Sequence, residues 1–110
     1  FPTVNLVPHG ATIIPAHGVY ATKVHLENGE TFLGVTNVGT RPTVGTGNGV
    51  TVETNLIDFT GDLYGQHIRV DFCLRLREEK RFSSTQALHD QIAQDIARTR
   101  AALSETNASS

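Results

Sequence analysis

Thr3 and Asn5 offer neutral oxygens two residues apart, and on an extended backbone residues so spaced point the same way. Glu53 is a lone acid in the β-branched stretch Val50-Thr51-Val52-Glu53-Thr54, where strand propensity alone would not place one. Arg75, Arg77, Lys80 and Arg81 gather basic charge within one short stretch. Each has an ordinary reading. Thr3 and Asn5, close to Pro2, are common loop residues that bond local backbone. Glu53 reads as a solvated strand acid, and spacing does nothing to raise it to a catalyst. The basic cluster reads as a solvated strand end or as a local contact for an anion or ligand.

Other chemistries find less support. The five histidines (His9, His17, His25, His67 and His89) lie far apart, and no two have metal-ligand spacing, so none reads as a zinc ligand. No Gly-x-Ser-x-Gly elbow is present for a serine nucleophile. Gly45, Gly47 and Gly49 alternate as a phosphate cradle would, but no Lys-Ser/Thr and no helix follow, so the P-loop reading fails. Cys73 has no evident partner base and reads as a plain strand residue.

The elements that would position these residues are mostly strands. Pro2, Pro8 and Pro15 make the first fifteen residues an irregular or extended lead-in. Val19–Glu27 reads as a strand, and Asn28-Gly29 as the hairpin signal that joins it to Thr31–Val38. Gly34, inside that second strand, points to a bulge or a close backbone approach. Gly39-Thr40-Arg41-Pro42 and Gly45–Gly49 read as a mobile loop. Val50–Asp58 is a third strand, with Val50, Val52 and Leu56 on one face and Thr51, Glu53 and Asn55 on the other. Ile68–Leu76 alternates cleanly as a fourth, with Ile68, Val70, Phe72, Leu74 and Leu76 on its apolar face, and Thr60-Gly61-Asp62 is the turn before it.

One helix follows. Ser83 and Gln86 have the spacing of a capping box. Leu88, Ile92, Ile96 and Leu103 form an apolar stripe, and Arg98 and Arg100 lie where they complement the macrodipole. Several strands and one terminal helix imply a mainly β fold, either an antiparallel barrel or a sandwich, with the helix packed outside. The small polar residues 104–110 are expected to fray.

Composition bounds the function. At 110 residues the chain fits one domain. Nine basic residues against eleven acidic ones leave a net charge of −2, without the basic excess of a general nucleic-acid binder. No apolar run is long enough to span a membrane, and no secretory signal pattern opens the chain. A single cysteine suits a reducing cytoplasm. A bare oligonucleotide-binding barrel is disfavoured by the acidic balance, two tyrosines, five phenylalanines and no tryptophan.

Six ordered blocks resemble the riboflavin kinase family. Phe1-Pro2-Thr3-Val4-Asn5 is similar to its Pro-Thr-Ala-Asn motif, with Val4 in place of Ala. Gly18-Val19-Tyr20-Ala21, Asn37-Val38-Gly39-Thr40-Arg41-Pro42-Thr43, Val52-Glu53-Thr54 and Asp62-Leu63-Tyr64-Gly65 match the next four. Arg77-Glu78-Glu79-Lys80-Arg81-Phe82 resembles the stretch before the family's terminal helix. The likeness runs from Phe1 to about Leu103.

The resemblance implies a single antiparallel, Greek-key type β-barrel over 1–103, with one C-terminal α-helix outside. It implies ATP-dependent phosphorylation of riboflavin at the ribityl 5′-hydroxyl, giving FMN and ADP. Thr3 and Asn5 would hold Mg²⁺, for which two neutral oxygens suffice when phosphates supply other ligands. Glu53 would be the general base. Leu56, Asp58 and Tyr64 would lie near ATP, and Arg77, Lys80 and Phe82 near the flavin. In the family a Gly-rich loop with a basic residue precedes the Pro-Thr-x-Asn motif, and bacterial relatives carry an adenylyltransferase domain before it. With Phe1 as the first residue, the expectation is the kinase module of a bifunctional FAD synthetase cut just before its metal motif, with turnover impaired by loss of the loop. The alternative expectation is a non-catalytic flavin- or nucleotide-binding barrel. Partners would be riboflavin, ATP and the adenylyltransferase domain, with no nucleic acid and no membrane.

Overall fold

A computed structural model of the chain describes residues 3–6, 15–43, 47–63 and 65–108. Among the described residues, five strands, β1 (Thr3–Leu6), β2 (Gly18–His25), β3 (Thr31–Thr43), β4 (Gly47–Leu56) and β5 (Arg69–Arg77), precede one helix, α1 (Thr85–Ala108). All pairings are antiparallel, in the order β1-β4-β3-β2-β5. Within it, β5-β2-β3-β4 is the Greek-key order, three hairpin-linked strands with a fourth returning beside the first. Among the described residues the sheet is open, with β1 and β5 at its edges, so the expected barrel closure is not seen.

Strand alternation divides the sheet into two faces. Val24, Leu26, Leu56 and Leu63 form a core on one face, packed with Phe32, Phe59, Ile68 and Val70. On the other, Val19, Ala21, Val35, Ile57 and Leu76 pack against Ile96 and Leu103 of α1. Non-polar burial of this kind is the main stabilising term, about 1.5–3 kcal/mol for each fully buried aliphatic side chain. Between the first core and the rest of its face lies a buried chain of hydroxyls. Thr22 and Thr36 are 3.0 Å apart, and Thr36 and Thr54 2.8 Å, so each oxygen removed from water has a partner. Gly34 allows that packing, because a Cβ there would stand 3.0 Å from both the Thr22 hydroxyl and a Thr54 methyl. The close approach expected at Gly34 is found, and the β2–β3 register passes through it without a bulge.

Several local expectations change. The Asn28-Gly29 hairpin forms, with a longer turn in which Gly29 takes φ 92° and Leu26 N donates to Glu30 O. The loop expected from Gly39 onward is largely sheet, since Gly39 through Thr43 pair with Thr51 back to Gly47. Pro42 is tolerated because β2 ends opposite Val38, so no second neighbour requires its missing N–H. Residues 44–46 lie outside the described ones. The third strand ends at Leu56, and Asp58 takes φ 60° just beyond it.

The clean alternation of the fourth predicted strand is broken at two register shifts, between Val19 and Tyr20 and between Ala21 and Thr22. The extra residues turn Leu74 outward, where it is 46% exposed, and set Arg77 opposite Val19. The helix is capped by Ser84, whose hydroxyl accepts from Ala87 N, while Gln86 bonds Asp90 instead of closing a box with Ser83. Arg98 and Arg100 reach sideways, to Leu76 O and to Asp58.

Thr36→Val keeps shape but removes the middle of the hydroxyl chain. It should cost about 1–3 kcal/mol, the usual penalty for leaving buried polar groups short of a partner. Urea unfolding checks this, and an unchanged midpoint would show that the chain contributes nothing.

Candidate functional site

The helix-facing side of the sheet changes character along its length. Its middle is the apolar bed of α1, and beyond it one row of cross-strand partners turns polar. Glu53 stands opposite Asn5 on β1 and Asn37 on β3, Asn37 opposite Val19, and Val19 opposite Arg77 on β5. In the next row Thr3 faces Asn55, which faces Val35. Opposed residues in an antiparallel pair put their side chains on the same face, about 4.5–5.5 Å apart, so register alone assembles this group. The reason lies in β4. Val52, Thr54 and Leu56 are buried on its far side, which leaves Thr51, Glu53 and Asn55 for the near one, as the sequence pattern predicts.

A cleft of about 660 Å³ opens over these rows. Its floor includes Thr3, Asn37, Glu53 and Asn55, and its wall Arg77 at the end of β5 with Glu79, Lys80 and Phe82 from the segment between β5 and α1. Thus Thr3, Glu53, Arg77, Lys80 and Phe82, drawn from distant parts of the sequence, meet in one place. Asn5 holds its register position opposite Glu53. The residues expected near ATP are placed differently. Leu56 is a buried member of the first core, Asp58 forms a two-point ion pair with Arg100 at 3.0 Å, and Tyr64 lies outside the described residues. Neither Leu56 nor Asp58 lines the cleft.

The cleft also contains polar groups that pattern reading missed. Thr3 Oγ1 donates to Asn55 Oδ1 at 2.5 Å. Asn37 Nδ2 donates to Glu79 Oε2 at 3.0 Å, so the segment after β5 reaches back to β3 beside Glu53. Gly39 makes this possible, since a Cβ there would collide with the Glu79 carboxylate. Asp95 of α1 has its side chain 1% exposed and holds Arg77. The signal for Asn37 and Asn55 was available, as both share the parity of Glu53 once strands are paired. Asp95 gave none, being one helical acid among several.

A smaller depression of about 420 Å³ lies elsewhere on β2 and β5, lined by His25, His67 and Arg69. His25 Nε2 and Arg69 both contact Asp71, at 2.8 and 3.2 Å. Desolvation works to raise the Asp71 carboxyl, but the hydrogen bonds and charges of His25 and Arg69 outweigh it and hold it below its ordinary value. Among the described residues no group of three or more His, Cys, Asp or Glu side chains has the arrangement of a metal site, and no helix is long and apolar enough to cross a membrane.

A carboxylate on a polar sheet row, walled by cations and an aromatic ring, is the equipment of a module that binds a polar small molecule. Comparison with known proteins makes this specific. The riboflavin kinase (Flavokinase) family model matches residues 1–103, and the chain belongs to that family. It is 44% identical to the bifunctional riboflavin kinase/FMN adenylyltransferase of Haemophilus influenzae, over 87% of this chain and 30% of that protein. It is 48% identical to the protein of the same name from Escherichia coli K12, over 86% and 30%. The chain therefore spans about a third of these relatives. RibR of Bacillus subtilis, an RNA-binding riboflavin kinase by name, is 41% identical over 87% of this chain and 40% of its own length. The acidic charge balance did not lead one to expect a relative so named. A crystal structure of a Streptococcus pneumoniae protein described as a macrolide-efflux protein superposes with a TM-score of 0.83 at 34% identity, covering 90% of this chain and 32% of that one.

Gly39→Ala should displace the Glu79 carboxylate from Asn37 while sparing the fold, because the group that must move is the end of a flexible side chain. The Asn37 side-chain amide resonances should shift, with a melting temperature within about 2–3 °C of the parent. Unmoved amide signals would show that Glu79 does not rest there in solution.

Proposed function

We propose that this chain is the riboflavin kinase module of a bifunctional protein that makes FMN and then FAD, transferring the γ-phosphoryl group of ATP to the ribityl 5′-hydroxyl of riboflavin. The observation that carries this reading is the meeting of Glu53 with Thr3, Lys80 and Phe82 in one cleft, in a chain of this family. Glu53 accepts the proton of the 5′-hydroxyl. The freed oxygen bonds the γ-phosphorus while the bond from that phosphorus to the bridging oxygen breaks, and ADP leaves. Positioning of the acceptor and stabilisation of phosphate charge carry most of such a reaction.

Thr3 and Asn5 are the residues that would hold Mg²⁺. The donor chemistry fits, since a threonine hydroxyl and an asparagine amide oxygen are hard, neutral oxygens, Thr3 is exposed in the cleft and Asn5 holds the register position opposite Glu53. When bound, Mg²⁺ neutralises charge on the ATP phosphates. Phe82 supplies an aromatic surface for the flavin ring, Lys80 an exposed cation, and Arg77 a fixed one. For the nucleotide we assign the end of β4 and the turns after it. There Leu56 supports the strand from below, Asp58 is braced by Arg100, and Tyr64 completes the set by resemblance. A closed Greek-key barrel belongs to this reading and is supported by the β5-β2-β3-β4 order. So do an adenylyltransferase partner domain, supported by the names of the relatives, and a cytoplasmic location, supported by a single unpaired cysteine.

The direct test is riboflavin-dependent release of ADP with formation of FMN. Glu53→Gln should lower turnover by about 10²–10⁴-fold, the usual worth of a positioned base, with Mg-ATP binding nearly unchanged. Parental turnover in that variant would reduce Glu53 to a strand residue. Replacing Thr3 and Asn5 together by Ala should abolish Mg-dependent nucleotide binding and leave folding intact, because both sit on the four-residue edge strand β1. Unaltered nucleotide affinity in the folded double variant would remove the metal assignment.

A further inference from the structure

The Arg77 guanidinium is not a loose cation in the cleft wall. Its Nε lies 3.1 and 3.2 Å from the two carboxylate oxygens of Asp95, its Nη2 2.8 Å from Oδ2, and its Nη1 donates to Glu78 O at 2.9 Å. Asp95 is buried in α1 and also accepts from Gln91 Nε2 at 3.1 Å. The Arg77 side chain is only 17% exposed. Desolvating two charges offsets most of what their attraction returns, so a buried pair is weak evidence for stability and stronger evidence for a fixed geometry. What the geometry fixes is Phe82. Arg77 Cζ lies 5.9 Å from the centroid of its ring, and Lys80 Nζ approaches the same ring at 5.9 Å. Two cations on one ring repel each other unless one is neutralised, and Asp95 neutralises Arg77.

We propose that Asp95 is a positioning residue for the flavin subsite: by locking the Arg77 fork from the helix, it sets the Phe82 ring and keeps the Arg77 charge from turning into the cleft. The proposal rests on the riboflavin kinase reading and adds to it a residue that touches no substrate. It also separates the two cations of the wall. Arg77 is structural in its action, and Lys80 is the one left to approach the ligand.

The test is equilibrium binding to the 110-residue chain, with riboflavin followed by flavin fluorescence and Mg-ADP by calorimetry. Asp95→Asn keeps size and loses charge. Arg77→Lys keeps charge and loses the planar fork, which an ammonium does not reproduce. Both variants, confirmed folded by circular dichroism, should bind riboflavin about ten- to a hundredfold more weakly, the scale of a small misplacement, with Mg-ADP affinity within about twofold of the parent. A merely structural residue would weaken both ligands together or neither. Parental riboflavin affinity in folded Asp95→Asn, or equal losses for both ligands, overturns the proposal. Should both variants fail to fold, Gln91→Ala removes one bond to Asp95 from the half-buried side of α1. It should weaken riboflavin about threefold at an unchanged melting temperature, and no change there overturns the proposal as well. A parent chain that does not bind riboflavin sinks the kinase reading itself, and the role of Asp95 with it, whereas a binding parent with indifferent variants sinks only the latter.

Discussion

The arrangement of the cleft depends on the two-residue period of β4. Burying Val52, Thr54 and Leu56 on one side commits Glu53 and Asn55 to the other, and both neighbours of β4 are in register with them. A slip of one residue would turn the Glu53 carboxylate onto the core face of the sheet and move Val52, Thr54 and Leu56 off it. The large free-energy difference between those states makes the position of Glu53 a consequence of core packing. No local feature of residues 50–56 needs to hold the carboxylate in place. The buried hydroxyl chain Thr22-Thr36-Thr54 reinforces the register, because its two contacts of 3.0 and 2.8 Å exist only at this pairing.

The helix completes what the sheet begins. Ile96 and Leu103 seal the apolar half of the face, and polar side chains of α1 reach to three points around it. Asp95 holds Arg77 at the end of β5, Arg98 caps the Leu76 carbonyl, and Arg100 clasps Asp58 after β4. These contacts differ in kind. The Asp58–Arg100 pair is largely exposed and contributes little to stability. The Asp95–Arg77 pair is buried, so breaking it leaves an uncompensated charge. The helix therefore braces the wall of the cleft more firmly than it braces the turn after β4.

Much of this was legible in the sequence because it follows from period. The faces of β4, the Asn28-Gly29 hairpin, the close approach at Gly34 and the stripe of α1 all come from alternation, helical spacing or turn chemistry. The misreadings arise where pairing overrides local signals. Gly39, Pro42 and Gly47 look like a loop until β4 is seen to pair with β3 along that arm. The bulges of β5 depend on how β2 twists against it, which no single strand's pattern records, and so Leu74 was expected inside. Ser83 and Ser84 are equivalent as caps until the helix start is fixed. The partner of Arg77, Asp95, lies eighteen positions away on another element, and no local pattern announces that pair.

One face of one sheet thus serves two purposes, and the division follows from where the helix ends. Over the stretch covered by α1 the face must be apolar, since a carboxylate there would lose its water without a partner. The helix begins only at Thr85, and the segment from Glu78 to Ser84 leaves the sheet beside it partly open. Glu53 and Asn37 lie in that opening, half-buried, with the wall of the cleft on one side. Glu79 crosses from the same segment to Asn37, so the loop that borders the cleft is tied to its floor. The cleft is closed on one side by the first turns of α1 and on another by the segment before it, and the polar residues of the sheet lie where neither packs fully against them.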